Sequence, residues 1–538
     1  MLGSRFPLRV SASLRETKPV IRHSTFVIFL SDFRLSSFSS RLRQVQGGRG
    51  TFEYEPSSFG ARPRRATRHL DDAASVWGIM SAIMPDAPTI VPLSTERPVP
   101  GPRSLGSFRE VMALRRDPLK FLTGLAAEYG PVARFKVGKL PFYLFTSPDA
   151  VREILVTNHD RMHKGRALQR AKVLLGEGLL TSEDEFHRRQ RRLVNPAFHR
   201  ERLPGYAREM IEAAQRAAST WRDGTQIDIS KEMMTLTLDI VGRTLFSTDL
   251  RGQATEIGQA MHDIMSLMNR MLSPFAAVLN YLPLPGTLRY WRARFHLERA
   301  VATIIRERRE SGRDHGDLLS MLLLARDEDG GPGMTDQQVR DEAMTLFLAG
   351  HETTANALTW TWYLLAQHPE IEARLHAELD FLLAGGPPKF EDYRRLTYTE
   401  RVLTEAMRLY PPAWIIGRTA MEDLEITGYR IPAKSILLTP QYLIHRLPEY
   451  FPEPEKFDPD RWLPEEVNAR PKLSYFPFGA GPRQCAGEAF AWMEGVLVLA
   501  TLAQNWRASL VPDRPVEMLP AITLRPKHGL HVVLHRRS

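Results

Sequence analysis

The ten residues from Phe478 to Gly487, FGAGPRQCAG, contain the only cysteine of the chain, Cys485. A single thiol cannot form an intramolecular disulfide, so it can serve as a nucleophile, a metal ligand or a small buried apolar side chain. Gly479 and Gly481 allow the backbone to turn tightly around the sulfur, and Arg483 stands two residues before it. These neighbours favour a ligand-binding loop over an inert cysteine.

The surroundings of this thiol suit one protein ligand on one metal. Zinc takes three or four Cys, His or carboxylate ligands, and the loop offers neither a second Cys nor a close His. A haem macrocycle supplies four nitrogens and needs a single protein ligand. Main-chain N–H groups can keep a thiolate ionised, and an arginine can hold an anionic group of a cofactor. The number of available ligands therefore favours haem.

The composition is that of a globular protein whose charge is unevenly distributed. Of the 538 residues, 43% are hydrophobic and 25% are charged. The formal net charge is +10, but residues 1–79 hold 13 Lys and Arg against 6 Asp and Glu. The rest of the chain is close to neutral, which argues against nucleic-acid binding.

The first 94 residues are rich in Arg, Ser and Gly and show no sustained helical or strand period. We interpret residues 1–94 as a disordered leader or extension without a catalytic role. One alternative is a transit peptide, although its acidic residues are unusual for one, and another is an upstream extension with Met80 or Met84 nearer the functional start. The apolar stretch from Ala73 to Met84 is too short to span a bilayer, so no transmembrane anchor is predicted.

The remaining residues, 95–538, are predicted to form a single large haem-binding domain that begins at the proline-rich stretch near Pro98. A helix is expected at about Pro118 to Tyr129, and alternating apolar residues about Gly138 predict a β-hairpin from Val132 to Ser147. Helical patterns then dominate, with a few short strands late in the chain. The predicted fold class is mainly α with small β-sheets (α+β).

The segment from Thr335 to Leu365 predicts a long, largely buried helix. Thr335 and Gln338 have the spacing of a capping box at its start. In its middle, Ala349 and Gly350 leave a notch, and Glu, Thr and Thr follow at positions 352–354. A buried helix ordinarily carries no polar groups there, so this stretch is a candidate for chemistry.

The same segment contains a His followed by a Glu, as does the zinc-protease motif HExxH. That motif needs a second His four residues after His351, and the residue at this position is Ala355. The zinc-protease interpretation therefore fails.

The cysteine loop resembles the haem-binding loop of the cytochrome P450 family. All five fixed positions of the family's loop are matched, by Phe478, Gly481, Arg483, Cys485 and Gly487. The long helix resembles the family's oxygen-activation motif, in the pattern Ala349-Gly350-x-Glu352-Thr353-Thr354. The resemblance covers about Pro98 to Ser538 and implies the cytochrome P450 fold.

Three further positions match cofactor-binding positions of the family. His187 and Arg191 are four residues apart on a predicted helix between Glu185 and Phe198 that ends near Pro196, so they face the same side. Taken alone, these residues are also consistent with a solvated basic face. By resemblance both contact haem propionates, although His187 stands where the family usually has Trp, and Arg418 is a third propionate ligand.

Glu405 and Arg408 lie three residues apart in an apolar helical stretch, which indicates a buried ion pair. A buried pair needs further partners, and Arg461 in the pattern FDPDRW is a candidate. The three residues resemble the family's structural triad near the haem loop, which acts on the fold and not on the reaction.

The resemblance implies a monooxygenase that carries haem b and inserts one oxygen atom of O2 into an apolar organic substrate. Cys485 is then the axial ligand of the iron, and Thr353, supported by Glu352, delivers protons. Electrons must come from a separate ferredoxin or flavodoxin type donor with its reductase, because no flavin or nicotinamide domain follows Cys485. A monomeric, cytoplasmic protein is expected.

The expected substrate pocket is apolar and suits fatty acids, terpenoids, steroids or xenobiotics alike. Its predicted lining is Phe347, Ala349, Trp414, Ile415 and Ile416. Two alternatives to a monooxygenase remain. A peroxide-using or isomerising haem-thiolate enzyme would not need the acid and threonine of the long helix, and a haem-bearing binding or sensor protein would keep the loop without proton delivery.

Overall fold

The computed structural model describes residues 98–102, 108–247, 285–325 and 333–537. The predicted leader, residues 1–94, lies outside these ranges. Among the described residues, none of the helices has both the length and the apolar character that crossing a bilayer requires.

Helices make up most of the described structure. In chain order they are α1 (Phe108–Arg116), α2 (Pro118–Tyr129), α3 (Pro148–Arg152), α4 (Arg166–Leu175), α5 (Asp184–Val194), α6 (Leu203–Thr220), α7 (Ile229–Phe246), α8 (Pro285–Ser311), α9 (Leu318–Leu324), α10 (Asp336–Leu365), α11 (Pro369–Leu383), α12 (Thr397–Leu409), α13 (Gln441–Ile444), α14 (Pro464–Ala469) and α15 (Glu488–Ala503).

The strands are short. They are β1 (Val132–Val137), β2 (Leu140–Phe145), β3 (Met162–Lys164), β4 (Gln226–Asp228), β5 (Ile416–Ala420), β6 (Leu424–Ile426), β7 (Tyr429–Ile431), β8 (Ile436–Thr439), β9 (Trp506–Leu510), β10 (Met518–Pro520), β11 (Leu524–Pro526) and β12 (His531–Arg536).

The largest sheet has the strand order β1-β2-β8-β5-β3, and three smaller sheets have the orders β4-β12-β9, β6-β7 and β10-β11. Strands β2 and β8 are parallel, whereas the other neighbours in the large sheet are antiparallel. The predicted hairpin is confirmed, because β1 pairs with β2 from Val132 opposite Phe145 to Val137 opposite Leu140. Gly138 makes the turn with a φ of +60°, a conformation that favours glycine.

Helix α10 is the central element of the larger hydrophobic core. Its start is the predicted capping box: the Gln338 N–H donates to Thr335 Oγ1 at 3.2 Å, and the Thr335 N–H donates to Gln338 Oε1 at 2.8 Å. The helix packs against α7, α12 and α15 and is buried on almost every side. A helix with this burial pattern must lie inside the protein, which is consistent with its apolar sequence.

The large sheet has hydrophobic clusters of its own, beside the helical core. Helices with a few small sheets are the architecture predicted from the sequence, so the α+β fold class is confirmed. The predicted helix over Pro118 to Tyr129 is confirmed as α2. The basic helix ends as an α-helix at Val194 and continues as a 3-10 turn over Asn195–Phe198, because the proline at 196 cannot extend the α-helical hydrogen bonds.

Candidate active site

The cysteine loop is held in one shape by its glycines and by its own backbone. The Cys485 N–H donates to the carbonyl oxygen of Phe478 at 3.0 Å and closes the loop. Gly481 has a φ of +70°, and a Cβ added there would lie 2.2 Å from the carbonyl oxygen of Leu155. Only glycine fits that position. At Gly487 an added Cβ would make an ordinary 3.5 Å contact with Phe198, so that residue is not required for steric reasons.

The Cys485 thiol is accessible although protein surrounds it closely. Its side chain is exposed to solvent. Burial nevertheless raises the pKa of the thiol, while the Gly487 N–H and the Arg191 charge act in the opposite direction. A metal removes the proton from a coordinated thiol, and the N–H bond and the nearby guanidinium then stabilise the thiolate. The residues around Cys485 therefore fit a thiolate ligand.

Arg191 joins helix α5 to the cysteine loop. Its Nη1 donates to the carbonyl oxygen of Gln484, the residue before Cys485. Its Nε donates to Asn195 Oδ1 at 3.0 Å. Arg191 therefore supports the position of the loop itself, in addition to any contact with a cofactor.

Three cationic side chains lie next to the loop: Arg483, Arg418 and Lys164. One of them, Arg483, is paired with a carboxylate. Arg483 pairs with Glu183 at 2.8 Å and donates to the carbonyl oxygen of Ser182 at 3.1 Å. The buried guanidinium of Arg418, on β5, donates to the neighbouring Gly417 carbonyl oxygen at 3.1 Å and to no other residue within the described ranges. Burial and then repulsion by Arg483 lower the pKa of Arg418 to about 10.

The third cation, Lys164, was not identified from the sequence. Its Nζ donates to the carbonyl oxygens of Leu179 and Ser182, each at 2.8 Å, and it makes no ion pair with a described residue. Burial, followed by repulsion from Arg483, lowers the pKa of Lys164 to about 7. Strand β3 pairs with β5, opposing Lys164 to Arg418, and this long-range pairing is what assembles the cluster. Three cations that share a single paired carboxylate, Glu183, fit a ligand with two carboxylate groups, such as the propionates of haem.

His187 lies in the same region, and its neutral imidazole ring can donate or accept a hydrogen bond. The ring is buried, its Nδ1 lies 3.3 Å from Ser182 Oγ, and its Nε2 has no hydrogen-bond partner among the described residues. Burial and the neighbouring Lys164 lower the pKa of His187 to about 3. A buried ring nitrogen without a partner is costly in a folded protein. An anionic ligand placed among these cations would satisfy it.

Helix α10 has an accessible window in its middle. Residues 341–348 and 354–362 are buried, whereas Ala349 is exposed and Gly350 and Thr353 are half-buried. Their spacing of one and four residues puts the three on one face of the helix. Thr353 Oγ1 donates to the Ala349 carbonyl oxygen at 2.7 Å, so its hydroxyl oxygen remains available as an acceptor on that face.

Two buried carboxyl groups lie close to this window. Glu352 Oε1 accepts a hydrogen bond from Thr523 Oγ1 at 2.6 Å, and Oε2 has no partner among the described residues. Glu494, on α15, lies beside Thr354 and is fully buried. Burial raises the pKa of Glu494 to about 8, against the opposing effect of the Thr354 hydroxyl, so this carboxyl is protonated at neutral pH.

Comparison with known proteins agrees with this geometry. The sequence model of the family described as Cytochrome P450 matches residues 99–533. The chain belongs to the cytochrome P450 family. It is 41% identical to cyclooctatin synthase of Streptomyces melanosporofaciens, over 79% of this chain and 92% of that protein. It is 40% identical to cyclooctat-9-en-7-ol 5-monooxygenase of the same organism (76% and 89% covered), and 37% identical to pentalenene oxygenase of Streptomyces avermitilis (79% and 94% covered).

This cytochrome P450 is therefore a haem-thiolate monooxygenase that binds haem b and inserts one oxygen atom of O2 into an apolar substrate, with electrons from a redox partner. The predicted enzyme class and cofactor are confirmed. Within the described residues, no group of three or more His, Cys, Asp or Glu side chains could hold a further metal ion.

The three residues of the predicted structural triad are arranged around a fully buried pair. Arg408 donates through Nε and Nη2 to the two carboxylate oxygens of Glu405, both at 2.8 Å, and neither side chain is exposed. Arg461 Nε lies 3.3 Å from Glu405 Oε1. Glu405 also accepts from the Trp462 indole N–H at 2.9 Å and from the Asp458 N–H at 3.1 Å. The three predicted residues are in direct contact.

Two residues of the predicted pocket lining, Phe347 and Trp414, are largely buried. The Phe347 ring is buried edge-to-face on Phe246, with centroids 5.9 Å apart, in the core between α10 and α7. The Trp414 ring is buried among apolar side chains of the sheet, and its Nε1 donates to the Ala521 carbonyl oxygen at 2.9 Å.

The other predicted lining residues remain accessible. Ala349 is exposed, and Ile415 and Ile416 are half-buried. Ile416 is close to the cysteine loop, because its Cδ1 would lie 3.5 Å from a Cβ added at Gly479. Ala413 is exposed between the buried Pro412 and Trp414.

Proposed function

We propose that this cytochrome P450 hydroxylates a cyclic terpene hydrocarbon or terpene alcohol. The relatives named cyclooctat-9-en-7-ol 5-monooxygenase and pentalenene oxygenase support this substrate class. The main structural support is the accessible window in the middle of α10. There Ala349, Gly350 and Thr353 form an accessible face between two buried segments of the helix. Small side chains on this face leave room for an apolar substrate and dioxygen.

Bound haem would supply the iron at which dioxygen is reduced and cleaved, and Cys485 would hold that iron through its thiolate. Lys164, Arg418 and Arg483 would hold the propionates by charge, and His187 would contribute its unpaired Nε2. Arg191 would keep the cysteine loop in place through Gln484. Phe478 packs on Trp492 with ring centroids 5.5 Å apart and fixes the start of the loop.

Thr353 and Glu352 would move protons during the reaction. The overall change is RH + O2 + 2 e⁻ + 2 H⁺ → ROH + H2O, so two protons must reach the site for each product molecule. The Thr353 hydroxyl donates its hydrogen bond to the Ala349 carbonyl oxygen. Its own oxygen can accept a hydrogen bond on the accessible face. Glu352 has one unpaired carboxylate oxygen, Oε2, which can take up and release a proton.

Thr353→Ala tests this role. The variant should bind haem and carbon monoxide as the parent does, but product formed per reduced nicotinamide consumed should fall by about tenfold or more, with hydrogen peroxide released instead. Thr359→Ala is the matched control, because the Thr359 hydroxyl makes the same bond within α10, to Ala355 at 2.7 Å, but is buried outside the window. An unchanged ratio in Thr353→Ala would remove Thr353 from the mechanism.

The electron donor is proposed to be an acidic ferredoxin or flavodoxin, reduced by its own reductase. Helix α5 reaches the cysteine loop through Arg191, and the same helix exposes Arg188 and Arg192. Positive surface charge next to the haem ligand favours docking of a negative partner. We expect Arg192→Glu to slow the first electron transfer at low salt in stopped-flow measurements, with the difference disappearing at high salt. We also propose that the protein is a cytoplasmic monomer, since the reductase of such a donor takes its electrons from reduced nicotinamide.

A further inference from the structure

The hairpin formed by β10 and β11 reaches the acid of helix α10 from far along the chain. Thr523, immediately before β11, is buried, and its Oγ1 donates to Glu352 Oε1 at 2.6 Å. Asn356 Nδ2 donates to the same Thr523 oxygen at 3.2 Å. A hydroxyl has a single proton, so the bond from Asn356 leaves that proton directed at Glu352.

A charge from the same hairpin adds to this contact. Arg525 Nη1 lies 4.0 Å from Glu352 Oε1, and the Arg525 side chain is only 16% exposed. Thr523 and Arg525 both approach the same oxygen of Glu352, Oε1. The hairpin therefore offers Glu352 a hydrogen-bond donor and a positive charge from the same side.

The hairpin is firmly attached at this point. The Trp360 indole N–H, on α10, donates to the Leu524 carbonyl oxygen at 3.0 Å. The Leu524 N–H donates to the Pro412 carbonyl oxygen at 2.9 Å. Because bonds on both sides of Leu524 fix its backbone, the neighbouring Thr523 cannot shift without breaking one of them.

We propose that Thr523 and Arg525 are positioning residues for Glu352. They hold Oε1 in a fixed place and leave Oε2 as the carboxylate oxygen that exchanges protons. The β10–β11 hairpin thereby becomes part of the proton-delivery apparatus of α10. This inference rests on the proton-delivery role proposed for Glu352 in the previous subsection.

The test compares Thr523→Val, Thr523→Ser and Glu352→Gln in the haem-loaded enzyme with its electron donor. Thr523→Val keeps the shape and removes the donor, so product per reduced nicotinamide should fall by about tenfold, and Thr523→Ser should restore it. Combined with Glu352→Gln, Thr523→Val should cause no additional loss, because both changes act through one carboxylate. Thr501→Val is the control, since that buried hydroxyl donates to Leu497 on α15, at 2.6 Å.

A second readout does not depend on turnover. The infrared carboxylate bands of Glu352, assigned by difference from Glu352→Gln, should shift in Thr523→Val and return in Thr523→Ser. The inference is overturned if Glu352→Gln uncouples the reaction while Thr523→Val neither uncouples it nor shifts the bands. Failure of Glu352→Gln itself to uncouple the reaction refutes the proposed role of Glu352, and the inference with it. Additive losses in the double variant also count against it.

Discussion

Replacing Glu405 with Ala should remove a large part of the stability of this protein. Arg408 would keep its bonds to the carbonyl oxygens of His445, Pro454 and Lys456 but would lose its counter-charge while fully buried. Breaking a buried ion pair by removing one partner costs about 3–5 kcal/mol. The Trp462 indole N–H and the Asp458 N–H would also lose their acceptor, and a buried unsatisfied donor costs about 1–3 kcal/mol.

These costs overlap, so we expect a loss of at least about 4 kcal/mol, against a total of about 5–15 kcal/mol for a typical domain. The measurement is urea denaturation followed by tryptophan fluorescence, together with haem retention by absorbance and soluble yield. Glu185→Ala is the matched control, because Glu185 pairs with Arg188 at the same spacing at 2.6 Å but both side chains are exposed. The control should show no measurable change. A Glu405→Ala variant that loses less than about 1 kcal/mol would refute the reasoning.

Three further outcomes are expected. Cys485→His should move the reduced carbon monoxide band to the position typical of an imidazole ligand, and retention of the parent band would exclude Cys485 as the axial ligand. Since the pKa of Glu494 is raised to about 8, unfolding releases its proton between about pH 4.5 and 8, and stability should fall as pH rises through this range. Glu494→Gln should give a flatter dependence in denaturation at pH 5 to 8, and equal slopes would show that the carboxyl is ionised when folded. A chain that begins at Met84 should bind haem and turn over normally, whereas loss of haem would show that the leader supports the domain.

Local patterns in the sequence predicted the elements that depend on neighbouring residues. The capping box at Thr335 and Gln338 marked the start of α10, and alternating residues on either side of Gly138 marked the β1–β2 hairpin. The cysteine loop indicated haem through its single thiol ligand. The resemblance to the family's haem-binding loop rests on five positions within ten residues. In each case the information lies within a few residues, which is the range over which turns, caps and periodicity act.

Features that depend on distant pairing could not be predicted in the same way. Lys164 joins Arg418 only because β3 pairs with β5, and Glu352 meets Thr523 only because a hairpin folds back across 171 residues. The side chains of Phe347 and Trp414 are large and apolar, and the sequence did not show how deeply each ring is buried. The burial of a side chain and its contacts with residues far away in the sequence are set by the folded chain.

The uneven charge beside the cysteine loop has a consequence for the assembly of the enzyme. Without a ligand, Lys164, Arg418 and Arg483 repel one another in a region that largely excludes water. The negative charges of the haem propionates would reduce this repulsion. Binding of the cofactor would therefore stabilise the folded state, so cofactor uptake and folding are thermodynamically linked. A ligand at 100 times its dissociation constant stabilises the folded state by about 2.7 kcal/mol. A porphyrin whose propionates are esterified could still offer its iron to Cys485 but would leave this repulsion in place, and it should give little of that stabilisation.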